Sequence, residues 1–586
     1  MSRHLLGVGA TGGWGSGTAR WVTWNLPPVP HRTIAKEEVD AELRRFEEAR
    51  TWAIERIAAL RDRTRETVGA FEAKVFEPQI LMLQDPDVVG GTVSYIGDNF
   101  LSAERAFDLT LLEIRSQFVD RAHAMVVDRI ADIRDVRYRV LARLTGRVED
   151  PLDLPEEDAV LLFDELTPSA AVRLDRTRVK GIITVGGTRS SHSAVLLRSS
   201  GIPMVVGVGG ALRDIKDGTR LLLDGATGRI VVDPTRSEVE AEARRSGLLG
   251  DWNRLEEHPA GPVSTRDGVL VRLQANLDQP DETEAAVRVG AEGVGLFRSE
   301  FLLLGRRVIP SEDEQYLAYR AVVEAFPEHD VTLRTFDVGG DKLPIFLNMP
   351  LEENPYLGWR AIRVCLDVPD LFRNQLRAAV RASRHGNMRI LLPFIVSVEE
   401  VRRSRELLAE VIGELRGSDS RERDIPVGIM VETPSTVETL ELFAPEVDFL
   451  SLGTNDLTQY VMAADRGSAR VAALHDPLQP ALVRMYSRLR KEADRLGLPI
   501  SVCGELPAEP VGLCALLALG YREFSLSPAY LSGAREVVRA VSVEELSGIF
   551  ERTAGFDSAT KIRAPIAEYL HDALAEGTVA SIPVPG

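Results

Sequence analysis

"VGIMVETPSTVETLELFAPEVDFLSLGTNDLTQY", residues 427–460, reads as strand, helix, strand, helix. The runs that begin at Val427 and Val447 are apolar and β-rich, and each gives way to a stretch of helical pattern. Moving outward from this stretch, the same alternation recurs. "VLVRLQANL" at 269, "GVGLFR" at 293, "VTLRTFDV" at 331 and "MRILLPFI" at 388 come before it; "PISVCGE" at 499 and "REFSLS" at 522 come after it. Eight alternating units over about 300 residues predict a (β/α)8 TIM barrel spanning 262–586. Chemistry in such barrels sits at the C-terminal ends of the strands. Those ends read Arg298, Arg334, Glu432, Asn455 and Asp456, and Cys503, so cationic, acidic and thiol groups are expected on one rim.

At 586 residues the chain is too long for one core, and a multidomain protein is expected. From Thr33 to Arg147 glycine and proline are sparse and apolar residues recur at helical spacing, which predicts a helical bundle over 30–147. A small α/β domain follows to residue 235, built from "DAVLLFDEL", "VKGIITVGG", "IPMVVGVGG" and "TRLLLDGATGRIVVDP", the last a hairpin across Gly225 to Gly228. Residues 236–261 are charged and helical in pattern, as a linker helix would be. A net charge of -18 argues against a nucleic-acid ligand. Three cysteines, neither dense nor at metal spacing, suit a reducing compartment. The opening residues are too glycine-rich for a signal peptide, and no run is long enough to span a bilayer, so a cytoplasmic protein is expected.

Taken one by one, the rim residues have two readings. Arginine's planar fork matches phosphate and carboxylate oxygens, so Arg298, Arg334 and Arg466, with Lys342 in "GGDK", form a clamp for a small anion if they converge, and are surface charges if they do not. Glu432 and Asp456 are a sparse oxygen set suited to Mg²⁺, or partners for those arginines in an ion-pair network. Cys503 is a nucleophile or, kept protonated, a proton donor; no histidine neighbours it in sequence, which favours the donor. Cys365 and Cys514 read as packing. His192, in "VGGTRSSHSAVLLR" (185–198), follows two glycines and three hydroxyl residues and opens a helix; by itself such a histidine is most often solvated or packed.

Ordered motifs along almost the whole chain alter that balance. "GVGLFRSEFLLL", "RTFDVGGDK", "ENPYLGWRAIR", "VMVETP", "SLGTNDLTQYVMAADRG" and "CGE" in the barrel, "FEAKVFEPQILMLQD" in the bundle and "GGTRSSHSAVLLRSSGIPMVVG" around His192 resemble the Enzyme I family of the bacterial phosphoenolpyruvate-dependent sugar phosphotransferase system. The resemblance implies a phosphohistidine swivelling domain (1–25 and 148–235) with the bundle inserted as the docking domain for the carrier protein HPr. It also implies a barrel that binds phosphoenolpyruvate and forms a homodimer. By the same likeness His192 is the phosphorylated residue, and Thr167 in "ELTPS" orients its ring. Arg298, Arg334, Arg466 and Asn455 hold phosphoenolpyruvate, with Arg360 in "GWRAIR" and Lys342 as further ligands. Glu432 and Asp456 coordinate Mg²⁺, and Cys503 protonates the departing enolate to give pyruvate. An imidazole nitrogen is a competent nucleophile toward phosphorus. The glycines, Ser190, Ser191, Ser193 and the helix start would all favour an added phosphoryl charge.

The sequence departs from the family at Thr188, where a glycine is usual, at "TGG" (11–13), and after Lys342, where "DKLP" is one residue short. Phosphoenolpyruvate synthase or pyruvate phosphate dikinase would need a nucleotide-grasp domain, and residues 1–150 show no obvious one. A nitrogen-regulatory paralogue normally bears an extra N-terminal sensor domain, which is not expected here, and a purely regulatory phosphoenolpyruvate sensor would not need His192, Cys503 and the acidic pair.

Overall fold

Residues 3–11, 13–22, 28–67, 73–119, 124–146, 158–174, 178–187, 193–194, 196–197, 202–225, 228–239, 257–303, 308–339, 352–416, 424–465, 471, 474–553 and 555–580 are described in a computed structural model of the chain. They form two units, Met1–Ser246 with Arg466–Ala472, and Gly247–Asp465 with Ala473–Gly586.

In the first unit the opening segment makes three strands: β1 (Arg3–Leu6), β2 (Val8–Thr11) and β3 (Trp14–Trp21). Gly13, at φ +92°, turns the chain between the last two, a conformation that costs glycine nothing. From Trp21 the chain runs through helices α1 (Val39–Thr67), α2 (Glu77–Gln84), α3 (Pro86–Gly97), α4 (Ala103–Val119) and α5 (Ala124–Leu144). The Asp85 carboxylate accepts from the Asp87 N–H at 2.8 Å and caps α3, and Pro86 fills its first position. The chain returns as β4 (Ala159–Phe163), parallel to β3, then makes α6 (Pro168–Ala171), β5 (Val179–Thr184), β6 (Met204–Val206), β7 (Arg220–Asp224) and β8 (Arg229–Val232). The sheet order is β1-β8-β7-β3-β4-β5-β6-β2, and β7 and β8 pair as the antiparallel hairpin expected around Gly225. One apolar cluster joins Phe46, Phe107 and Val136 of the helices to Leu161, Phe163 and Ile182 of the sheet.

In the second unit eight parallel strands close on themselves: β10 (Leu270–Leu277), β11 (Val294–Arg298), β12 (Asp330–Arg334), β13 (Asn387–Leu392), β14 (Val427–Val431), β15 (Phe449–Leu452), β16 (Ile500–Val502) and β17 (Glu523–Leu526). β10 pairs with both β11 and β17, which completes the barrel, and the short β9 (Val263–Ser264) runs antiparallel along β10. β14 and β15 are buried throughout, which is why their sequences are continuous apolar runs rather than alternating ones. The helix Pro369–Ala382 between strands buries an apolar face that includes Leu371, Phe372, Leu376 and Ala379.

Inside the barrel Leu296, Leu391, Met430, Phe449 and Cys503 make a compact apolar layer. Side chains two apart along a strand share a face. Arg298 therefore stands one layer above Leu296, and Glu432, just past β14, one layer above Met430. That alternation raises charged side chains over an apolar floor at the C-terminal end.

Candidate active site at the barrel rim

Each rim residue is placed by the end of a strand. Arg298 and Arg334 are the last residues of the paired strands β11 and β12, in register with each other. The Arg298 Nη1 donates to Asp278 Oδ1 at 3.1 Å, just past β10. The Arg334 guanidinium is buried, bonds Glu300 and lies 3.4 Å from Asp337 Oδ2. Arg360, 3% exposed, donates from Nη2 to Asp337 Oδ1 at 2.9 Å and to Asp456 Oδ2 at 3.0 Å, and from Nη1 to the Tyr460 hydroxyl at 3.2 Å. Gly339 permits this approach: its φ is +112°, and a Cβ there would come within 2.4 Å of Arg360 Cβ.

Glu432 is 2% exposed and accepts from the Phe394 N–H at 2.6 Å. Burial, with Asp456 and Asp337 beside it, pushes its carboxyl up to about 8 against the pull of Arg334 and Arg360. Gly453 leaves the room it needs, since a Cβ there would lie 2.8 Å from Glu432 Oε2. Asp456 belongs to the helix Thr454–Met462 that follows β15. Asn455 turns its amide oxygen to the Glu505 N–H at 3.0 Å. Cys503, just past β16, is 2% exposed and its Sγ lies 3.6 Å from the Leu452 carbonyl. Burial and the Glu432 carboxylate push its thiol up to about 11, although the Ser451 hydroxyl and the two strand-end arginines pull the other way.

Three guanidiniums, Arg298, Arg334 and Arg360, thus meet five carboxylates, Asp278, Glu300, Asp337, Glu432 and Asp456. Two features mark this network as incomplete in itself. Among the described residues the Nε of Arg334 and of Arg360 are buried donors with no hydrogen-bond acceptor, a costly state that an anion's oxygens would relieve. The Glu432, Asp456 and Asp337 carboxylates crowd one another, a strain that a hard divalent cation would relieve. Among the described residues no three His, Cys, Asp or Glu side chains are arranged to enclose a metal, so Glu432 and Asp456 could supply only a partial, all-oxygen set. Such sparse sets suit Mg²⁺, which keeps water and substrate oxygens.

The structure brings together Arg298, Arg334, Arg360, Glu432, Asn455, Asp456 and Cys503. Lys342 and Arg466 lie outside the described residues, as do Thr188, Ser190, Ser191, His192, the segment 341–344 and most of the expected linker helix. Thr167 is buried at the start of α6, where its hydroxyl oxygen accepts from the Ala170 N–H at 3.3 Å, leaving the hydroxyl hydrogen to donate. Cys365 and Cys514 are fully buried in the outer barrel core. Asp278, Glu300, Asp337, Phe394 and Tyr460 are residues that sequence reasoning missed. Asp337 carried a signal, since it stands three residues past the strand-end arginine in "RTFDVGGDK". Phe394, in "LLPFI", carried none.

A barrel rim of this make-up belongs to a known class. Residues 253–543 match the family model described as "PEP-utilising enzyme, PEP-binding domain", residues 155–228 the "mobile domain" and residues 6–129 the "N-terminal" part of the same enzymes. The chain belongs to the phosphoenolpyruvate-utilising enzyme family. Its relatives there carry a narrower name, phosphoenolpyruvate-protein phosphotransferase. The one from Geobacillus stearothermophilus is 40% identical over 536 residues, 91% of this chain and 92% of its own length. Those of Priestia megaterium and Bacillus subtilis (strain 168) are 37% and 36% identical, covering 96% and 97% of this chain and 98% and 99% of theirs.

Proposed function

We propose that this chain is a phosphoenolpyruvate-protein phosphotransferase: it takes the phosphoryl group of phosphoenolpyruvate onto His192, releases pyruvate, and passes the group to a histidine of the carrier HPr, which starts sugar uptake. The observation that carries the reading is that, among the described residues, the buried guanidiniums of Arg334 and Arg360 have Nε–H donors with no acceptor, on the same rim as the buried Cys503 thiol. Arg298, Arg334, Arg360 and Arg466 would bind the carboxylate and phosphate oxygens, with Asn455 and Lys342 beside them. Glu432 and Asp456 would hold Mg²⁺, which when bound neutralises charge on those oxygens.

As a ring nitrogen of His192 forms its bond to phosphorus, the bridging C–O–P oxygen leaves with the electron pair, and an enolate remains. The Cys503 thiol, held protonated at neutral pH, gives its proton to the methylene carbon, and pyruvate results. The thiolate recovers a proton before the next turnover. Thr167 would donate to the other ring nitrogen and fix the tautomer. On this reading residues 1–25 and 148–235 form the phosphohistidine domain and 30–147 the carrier-docking bundle. Residues 236–261 link them to a barrel, 262–586, that forms a homodimer. No described helix is long and apolar enough to cross a membrane, in keeping with work in the cytoplasm.

Incubation with Mg²⁺ and phosphoenolpyruvate is expected to add one acid-labile phosphoryl group, located by mass spectrometry on His192 and absent from His192→Ala. A stable phosphate on serine, or labelling that survives in His192→Ala, refutes the assignment.

A further inference from the structure

We propose that Phe394 is a positioning residue of the rim, its ring fixing the Arg360 guanidinium and its backbone N–H fixing the Glu432 carboxylate. The inference rests on the function proposed above and adds to it a residue with no polar chemistry of its own.

Phe394 follows β13 and is 3% exposed. Its φ is +57°, a left-handed conformation that a bulky aromatic residue adopts only where its surroundings over-determine it. Two sets of contacts do so. The N–H donates to Glu432 Oε1 at 2.6 Å, and the ring lies under the Arg360 guanidinium carbon at 4.6 Å. Arg363 also faces that ring, at 4.7 Å, and is itself anchored on the carbonyls of Leu357 and Gly358 at 2.9 and 2.8 Å. The Tyr460 ring packs 5.7 Å from the Phe394 ring, and its hydroxyl accepts from Arg360 while donating to the Tyr356 carbonyl at 2.6 Å. Ala361, next to Arg360, is strained as well, at φ +52°.

An aromatic face has a particular use here. It attracts a cation through its quadrupole without occupying any N–H donor. Asp337 and Asp456 both hold Nη2 of Arg360, but an acid that holds an arginine also competes with the substrate for it. The ring holds the guanidinium plane at no such cost, and among the described residues Nε has no acceptor and is left to donate.

The test uses the full chain and separates ring from amide. Phe394→Leu keeps the N–H and most of the apolar volume but removes the π face. It is expected to raise KM for phosphoenolpyruvate about tenfold, the scale of a desolvated cation–π contact, with kcat changed far less. Mn²⁺ affinity, read by electron paramagnetic resonance without turnover, is expected to stay at the parental value because the amide on Glu432 is retained. Phe394→Tyr, which restores the face, is expected to recover most of the lost affinity for phosphoenolpyruvate. An unchanged KM in Phe394→Leu, or equal losses in the Leu and Tyr variants with equally lowered unfolding midpoints, overturns the inference alone. A parental chain that takes no phosphoryl group from phosphoenolpyruvate overturns the functional reading and this inference with it.

Discussion

Cys503 sits in the apolar floor of the barrel with its thiol raised by burial to about 11, so it carries its proton across the physiological range. A group in that state is a proton donor rather than a thiolate nucleophile. Cys503→Ala is expected to lower phosphoenolpyruvate-driven phosphorylation at least about a hundredfold. Phosphate exchange between the chain and phosphorylated HPr, measured with a radiolabel, needs no enolate protonation and is expected to survive; equal loss of both contradicts the donor role. At this scale the sequence was legible wherever a charged or thiol residue ended an apolar run, because such residues are poor core material. Arg298, Arg334 and Glu432 stood out for that reason. Two of their partners did not. Asp278 and Glu300 each follow the strand before the one that ends in the arginine they hold, and whether they face it depends on barrel closure.

At the element scale, the turn after β10 couples stability to the rim. Glu282 Oε2 accepts from the N–H groups of Asp278 and Gln279 at 2.6 and 3.0 Å, which shapes the turn that offers Asp278 to Arg298. Burial first, then the neighbouring Asp278, pushes Glu282 from 4.5 up to about 7. The folded chain therefore binds a proton there that the unfolded chain has lost, and this contribution to stability, complete below about pH 4.5, disappears as pH rises through about 7. Glu282→Gln keeps the acceptor and cannot ionise. The fall in unfolding midpoint between pH 5 and pH 8 is expected to be shallower in that variant; an identical slope in both proteins refutes the shift. Elements were legible in the sequence where their period was strong, in the long helices and the barrel strands. The opening segment was not, because its three strands pair with four different neighbours, β8, β6, β4 and β7.

At the scale of the whole molecule, charge bears on association. A net charge of -18 gives the chain a long-range field that steers a basic partner surface toward it. If HPr presents such a face, raising salt from about 0.05 to 0.5 M is expected to weaken carrier docking severalfold more than phosphoenolpyruvate binding, since buried rim pairs are screened far less than exposed ones. Calorimetric titration of each ligand across that range checks it, and equal salt slopes count against electrostatic docking.

The order of apolar runs, their spacing and the residues at their ends already determined a (β/α)8 barrel with arginines, carboxylates and a thiol on its rim, because strand and helix periods and the strand-end rule act through local sequence. Only the tertiary structure decided which acid holds which arginine, which buried N–H groups stay open, and that an unremarkable phenylalanine lies between them. Most of those relations join residues 20 to 100 positions apart, and no local pattern encodes a distance across a closed barrel.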